Sequence, residues 1–332
     1  MKQTTKAHIL MTLLVISWGF DYVPAKLGLE ILEPMSLLFL KYAFGLVTLL
    51  VIKFIISRNM ALPKLRDIPV FVACAIFGEL IYFYCEYSAM DYLPVALLTI
   101  ILGFVPVLSV AIERVLYKRR ANRVIFIGIG FCILGIIFVI GSDWHVIFQG
   151  RAIGYILAFG AVISWNVYNF ITASERLEKY DSATLSCTQI ICTLLLCSPM
   201  AWHMMPPLAE ITPTVWAGIA WIGVVDSGLG FLIMVYGLQK LGPTTSALYS
   251  DFMPVSSTFF GAVLLHESIT RLQVLGGIIV VIAGFFVIRE KGRLDEARDA
   301  AEQAADQPEA AEQATEQPEA APQTTKGEKE KL

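Results

Sequence analysis

Charge is what this sequence has least of. Asp, Glu, Lys and Arg make up 16% of its 332 residues, hydrophobic residues 56%, and the mean hydropathy is +0.67. Soluble domains are about a quarter charged and less than half apolar. A soluble globule is therefore excluded, because its charges would not cover the apolar surface. Histidine is scarcer still: His8, His145, His203 and His266 are scattered near the ends of apolar stretches. The six cysteines (Cys74, Cys85, Cys132, Cys187, Cys192, Cys197) lie within apolar stretches, with no Cys or His partner at ligand spacing. They read as small buried residues rather than disulfides or metal ligands. HExxH, GxSxG, a Walker loop and a GxGxxG after a strand are all missing, so no enzyme class is signalled and ATP is not the direct energy source. No cofactor, metal or nucleic-acid partner is expected.

What is present is a succession of apolar runs. A helix needs about 20 apolar residues to cross the hydrocarbon. Ten segments qualify: 7–29, 34–56, 68–89, 95–116, 124–141, 152–173, 184–203, 215–238, 244–265 and 272–288. Met1–His8 is short and basic, but the apolar run beyond it reaches about Leu29 with no small-residue cleavage site. It is expected to be a first spanning helix rather than a signal peptide. With the N-terminus inside, fourteen basic residues flank the inner ends, from Lys2 and Lys6 to Arg176, Lys179 and Lys240, against Lys26, Arg151 and Arg271 outside. The bias predicts both termini in the cytoplasm and a multi-pass protein of the cell membrane.

The two halves are related. Val15–Trp18 (VISW) recurs as Val162–Trp165, and Pro106 and Pro254 stand 148 residues apart. At that offset Leu93 matches Leu241, Arg123 matches Arg271 and Phe138–Ile140 matches Phe286–Ile288. Five spans per repeat is an odd number, so the second copy is expected upside down. Inverted repeats of this kind belong to secondary transporters, with the substrate near the midplane between them. The expected fold is all-α and integral to the membrane: ten transmembrane helices as a 5+5 inverted repeat, residues 1–148 and 149–290. From Arg289 onward twelve acids face seven bases, and AAEQAADQPE recurs as AAEQATEQPE. Residues 291–332 are expected to form a disordered acidic cytoplasmic tail.

A charge inside a membrane span is costly and marks a functional hypothesis. Trp18 and Asp21, three apart and followed by Tyr22, share a helix face where an aromatic beside an acid can hold a cation. The matching face of the second repeat carries Trp165, Tyr168 and Asn169. Lys41 is read first as a salt-bridge partner of Asp21 or Glu86. Glu79, Tyr82 and Glu86 follow i, i+3, i+7 spacing and are expected to make one stripe. A carboxyl held out of bulk water there can load and lose a proton, as proton-coupled transport needs. Asp226 is flanked by Gly223, Gly228 and Gly230. Tyr249 and Asp251 precede Pro254, and Pro106 and Pro254 are expected as kinks or hinges. Gly128, Gly130 and Gly135, with Gly276, Gly277 and Gly284, offer small-residue packing faces for an intramolecular seam or a homodimer.

Several features together resemble the EamA-type transporters of the drug/metabolite transporter superfamily. They are Ser17–Trp18–Gly19, Glu33–Pro34–Met35 with a basic residue at Lys41, the Pro106 and Pro254 segments, and Leu264–Glu267 followed by Gly276–Gly277 and Gly284. The resemblance covers about residues 7–288. It implies a ten-helix, export-type carrier without a cofactor, with a cavity lined by spans 1–4 and 6–9 and with spans 5 and 10 at the periphery. The excess of buried acids points to a cationic or zwitterionic, amino-acid-like substrate moved by alternating access, with exchange for protons left open. An intramembrane enzyme using paired carboxylates, and a sensor that transports nothing, are the alternatives.

Overall fold

The computed structural model describes residues 3–56, 62–93, 98, 101–116, 118, 122–140, 152–264 and 270–306. Among them all regular structure is helical. Helix α1 runs Gln3–Leu29 and α2 runs Pro34–Leu50, continuing as a π-helical turn, Val51–Ile56. The next span is α3 (Ile68–Cys74), a π-helical stretch Ala75–Ile81, and α4 (Tyr82–Ala89). Then come α5 (Val105–Leu116), α6 (Arg123–Ile140), α7 (Ala152–Thr172) and α8 (Ser182–Met204). Helix α9 (Pro213–Trp221) passes through a second π-helical stretch, Ile222–Gly230, into α10 (Phe231–Tyr249). A 3-10 turn, Ser250–Phe252, leads to α11 (Met253–Leu264), and α12 is Arg271–Asp306.

Local chemistry sets the starts. Pro34 opens α2 and Pro213 opens α9, where a missing N–H costs nothing. Thr212 caps α9, its side chain accepting from the Val215 N–H, and Asp181 caps α8 by accepting from Thr184 N at 3.0 Å. Gly242, at φ 78° and ψ 169°, divides the helical run Pro213–Ser257 in two, a conformation that needs glycine.

Among the described residues seven stretches are long and apolar enough to cross a membrane: Gln3–Leu29, Pro34–Ile55, Leu65–Ala89, Ala152–Thr172, Ser182–Met204, Pro213–Ser257 and Arg271–Asp295. Pro213–Ser257 holds the expected eighth span and much of the ninth, separated at Gly242. The start of the fourth expected span lies mostly outside the described residues. Polarity is distributed inside-out. Ile9, Leu13 and Ile16 on α1, Val47 on α2, and Phe285 and Phe286 on α12 are exposed, while Asp21, Lys41, Glu79, Glu86, Asp226 and Asp251 are buried. Such a surface suits lipid rather than water.

The packing repeats itself between halves. Helix α1 packs on α10 and α11, and α7 packs on α4 and α5. Helix α2 lies on the π stretch Ile222–Gly230, α8 lies on the π stretch Ala75–Ile81, and α2 and α8 pack on each other. The two π stretches fall at matching places in the two halves, and so do the breaks before Pro106 and Pro254. Helix α5 follows a turn at Gly103–Phe104, and α11 follows the 3-10 turn Ser250–Phe252 without leaving the helical run Pro213–Ser257. A proline has no N–H to offer the carbonyl four residues back, and each of these irregular turns lies just ahead of one.

The glycine faces form a seam within the chain. A Cβ at Gly128 would lie 2.0 Å from the Val287 side chain, and one at Gly135 2.8 Å from the Gly276 carbonyl, so α6 and α12 touch backbone to backbone; Gly130 faces open space. Two compact units divide the chain, residues 1–291 and 292–332. In the first, Lys291 pairs with the buried Glu113 at 2.8 Å. In the second, Gly292–Asp306 is helical, where the tail was expected to be disordered. Ala, Glu, Gln and Arg are strong helix formers and continue a helix already nucleated. The remaining expectation for the tail falls outside the described residues.

Candidate functional site: an acidic cavity with aromatic walls

A cavity with about 740 Å³ of empty space, counting its mouth, lies between the two halves. Its wall takes Trp18, Asp21, Tyr22 and Ala25 from α1, and Tyr82, Phe83, Glu86 and Tyr87 from α4. Gly103 and Val105 come from the break before α5, Trp165 from α7, Asp226 from the second π stretch, and Ser250, Met253 and Pro254 from the break before α11. These residues belong to the half of the bundle away from Gln3, called here the far half. Among the described residues no basic side chain is in the wall.

Trp18 and Trp165, equivalent in the two repeats, meet edge to face with centroids 6.0 Å apart, and Tyr82 lies 4.5 Å from Trp165. Asp21 Oδ1 accepts from Trp221 Nε1 at 2.9 Å, while its Oδ2 and the Trp18 Nε1 have no partner among the described residues. Glu86 Oε1 accepts from Tyr22 OH at 3.1 Å and Tyr82 OH at 3.2 Å. Asp226 faces Asp21 closely enough for the two carboxyls to interact. Three carboxyls thus converge on one apolar-walled space. Two that are both ionised repel each other, and a cation or a proton between them removes the repulsion.

Of the residues singled out from sequence, Trp18, Asp21, Tyr22, Tyr82, Glu86, Trp165, Asp226 and Pro254 are brought together here. The others are not. Glu79 is fully buried and accepts from Tyr42 OH, outside the cavity wall. The expected stripe with Tyr82 and Glu86 is broken because the intervening π turn carries more residues than an α turn and rotates Glu79 off that face. Lys41 pairs with neither Asp21 nor Glu86. Its Nζ sits 3.2 Å from the centre of the Phe83 ring and donates to Tyr87 OH at 3.3 Å, behind the wall. Tyr168 stacks on Trp165 at 5.1 Å and donates to Gln189, and Asn169 is buried with its amide unpartnered among the described residues. Tyr249 meets His8 Nδ1 at 2.7 Å, toward the N-terminal end. Asp251 is fully buried away from the cavity, and Pro106 lies one residue past the wall.

Sequence reasoning missed Trp221, Phe83, Tyr87 and Tyr42. Tyr42 and Tyr87 each follow a charged residue directly, which was the available signal; nothing in the sequence marked Trp221 or Phe83.

At the near end, toward the N-terminus, the halves are tied shut. Asp67, in the 3-10 turn Leu65–Asp67 ahead of α3, binds Lys179 at 2.6 Å, Arg176 at 2.9 Å and Tyr180 OH at 2.6 Å. These partners hold its carboxyl well below the usual aspartate range, Lys179 first, then Tyr180 and Arg176.

A helical bundle with an apolar exterior and a charged cavity between its halves defines a membrane transporter. The chain belongs to the EamA-like transporter family, which matches it twice, over residues 5–141 and 152–289. It is 20% identical over 272 residues to "Uncharacterized transporter YoaV" of Bacillus subtilis, covering 81% of this chain and 92% of that protein. It is 26% identical over 293 residues to the "Probable amino-acid metabolite efflux pump" of Salmonella typhimurium, covering 85% and 94%. It is 22% identical over 295 residues to the "Probable terminal-alkyne amino-acid exporter" of Streptantibioticus cattleyicolor, covering 88% and 97%. One solved crystal structure shares the fold with a TM-score of 0.70 at 17% identity, over 87% of this chain and 99% of that one.

Proposed function

We propose that the protein is a secondary-active exporter of a small organic amine, cationic or zwitterionic, working by alternating access in the cell membrane. The observation that carries this reading is the wall of the cavity: Asp21, Glu86 and Asp226 among aromatic rings, three acids against the single Lys41 that stands behind the wall and acts on all of them. An ammonium group fits such a place, since carboxylates pair with it and ring faces attract it. Asp21 Oδ2 and Trp18 Nε1 lie near Asp226 but complete no hydrogen bond among the described residues, so a ligand entering between them would find both available. The Salmonella relative is named as a probable efflux pump for amino-acid metabolites and the Streptantibioticus relative as a probable exporter of a terminal-alkyne amino acid, which supports an outward, amine-bearing cargo.

Ten spans in a 5+5 inverted repeat, residues 1–148 and 149–290, underlie the mechanism, with both termini cytoplasmic. The twin family matches, the exchanged packing partners and the paired π stretches and breaks support this arrangement. The state described here then has its cavity in the outer half and its inner end latched through Asp67. Proton exchange and a homodimer remain part of the proposal.

Counterflow of radiolabelled amino acids and amines in proteoliposomes tests it. A buried charge-assisted contact is worth about 1.5–3 kcal/mol, so Asp226→Asn or Glu86→Gln should weaken uptake of the preferred amine roughly 10- to 100-fold. Uptake of amines unchanged in both variants would remove the acidic cavity from the mechanism.

A further inference from the structure

Glu79 has a counterpart. It lies on the π stretch Ala75–Ile81, and Asp226 lies on the matching stretch Ile222–Gly230. In step with Trp18 and Trp165, Asp21 corresponds to Tyr168; at the spacing of the two prolines, Lys41 corresponds to Gln189. The group around Asp226, made with Asp21 and Lys41, therefore recurs around Glu79 with Tyr168 and Gln189. The first group adjoins the cavity in the far half. The second is sealed.

The sealed group is polar and incompletely satisfied. Glu79 is 0% exposed. Its Oε2 accepts from Tyr42 OH, and its Oε1 has no partner among the described residues. The Tyr168 ring packs against Gly78, and Tyr168 OH donates to Gln189 at 3.4 Å. Gln189 Nε2 in turn donates to Thr172 at 3.4 Å, and Thr172 meets Cys74 Sγ at 3.5 Å. Beside Gln189, Thr188 donates to the carbonyl of Thr184 one turn nearer the N-terminal end, and Lys53 reaches the Thr184 hydroxyl at 2.5 Å. A file of polar groups thus runs from Glu79 toward the end that Asp67 latches, away from the cavity.

We infer that Glu79 is a second, proton-binding carboxyl, separate from the amine site, which the opposite-facing state opens to water at the near end. The inference rests on the alternating-access reading above. The step is the simplest available: the carboxylate takes one proton from the near-end aqueous phase to become the acid, and gives it back there. Tyr42 OH donates to the ionised form and can accept from the protonated one. The titratable and charged groups facing Glu79 are Lys41 and Tyr42 from α2, Cys74 on its own span, Tyr168 from α7 and Asp226 from the second π stretch. Helix α8 offers it the uncharged Gln189.

A protonated carboxyl in apolar surroundings reacts with dicyclohexylcarbodiimide, and peptide mass spectrometry reads the modified fraction at each residue without any substrate. The full chain in proteoliposomes should be labelled at Glu79. The labelled fraction should fall about tenfold per pH unit on the alkaline side of its titration. Asp67→Asn, which loosens the near-end latch, should raise it, and Asp226→Asn should leave it in place. The inference is overturned if Glu79 labelling is absent or indifferent to pH, if Asp67→Asn leaves it unchanged, or if it disappears in Asp226→Asn. Glu79→Gln, with thermal melting of the purified variant, confirms the labelled position in a folded protein. Failure of the amine reading would look different: amine counterflow indifferent to Asp226→Asn, with Glu79 labelling intact.

Discussion

At the scale of the residue, the rings decide what each charge can do. Lys41 rests on Phe83 and bonds Tyr87, so a ring face and a hydroxyl touch its ammonium while Asp226, Glu79, Glu86 and Asp21 act on it from beyond contact. Glu79 depends on one donor, Tyr42. Tyr42→Phe should cost about 1–3 kcal/mol, the penalty for leaving a buried acceptor without its donor. Chemical or thermal unfolding in detergent measures it. In a Glu79→Gln background the same change should cost measurably less, because the two residues interact directly. The aromatic–acid face of α1 was legible from sequence because both residues lie on one helix at fixed spacing. Trp221 bonding Asp21, or Tyr42 bonding Glu79, was not, since those pairs arise only when separate helices pack. The salt bridge expected for Lys41 failed for the same reason: charge alone did not reveal that rings would stand closer than acids.

Among the elements, the irregular ones position the chemistry. The prolines could be read from the sequence as kinks or hinges, and a turn at Gly103–Phe104 and a 3-10 turn at Ser250–Phe252 lie just ahead of them. The π stretches were invisible, because i→i+5 bonding has no compositional signature, and they account for the displaced Glu79. Gly242 is the other irregularity, at φ 78° with no atom near its missing Cβ. Gly242→Ala meets no steric neighbour, so its cost is backbone strain alone, about 1–3 kcal/mol. A lowered melting temperature in Gly242→Ala beside an unchanged or raised one in Gly130→Ala, where the space is equally open and the backbone helical, would isolate that strain.

For the whole molecule, the polar ties at the near end balance the open space in the far half. Asp67 is the centre of those ties, and its carboxyl is held low in the folded state by Lys179, Tyr180 and Arg176. A group depressed on folding contributes stability above its unfolded value, about pH 4 for aspartate, and loses it as pH falls through the folded value. The wild-type melting temperature should therefore drop on acidification below about pH 4 more steeply than that of Asp67→Asn, which has no such proton to gain. Equal acid slopes would mean that the latch contributes nothing to the fold. The membrane class and the helical content were legible because they follow from composition and periodicity. The cluster on Asp67 was not, since Asp67 ends a 3-10 turn and its partners lie on and just after a short helix, Glu175–Glu178, that no periodicity relates to it.

The wide turns at Ala75–Ile81 and Ile222–Gly230 have one more consequence. A helix that carries a surplus residue in one turn has slack. The surplus can pass along the span like a ruck along a carpet, exchanging one hydrogen-bond register for the next while both ends stay anchored. Each residue it passes swings by roughly a residue's share of a turn, about 100°. A carboxyl standing on the ruck can thus turn from one neighbour to another without any helix having to slide, and this chain keeps one acid on each.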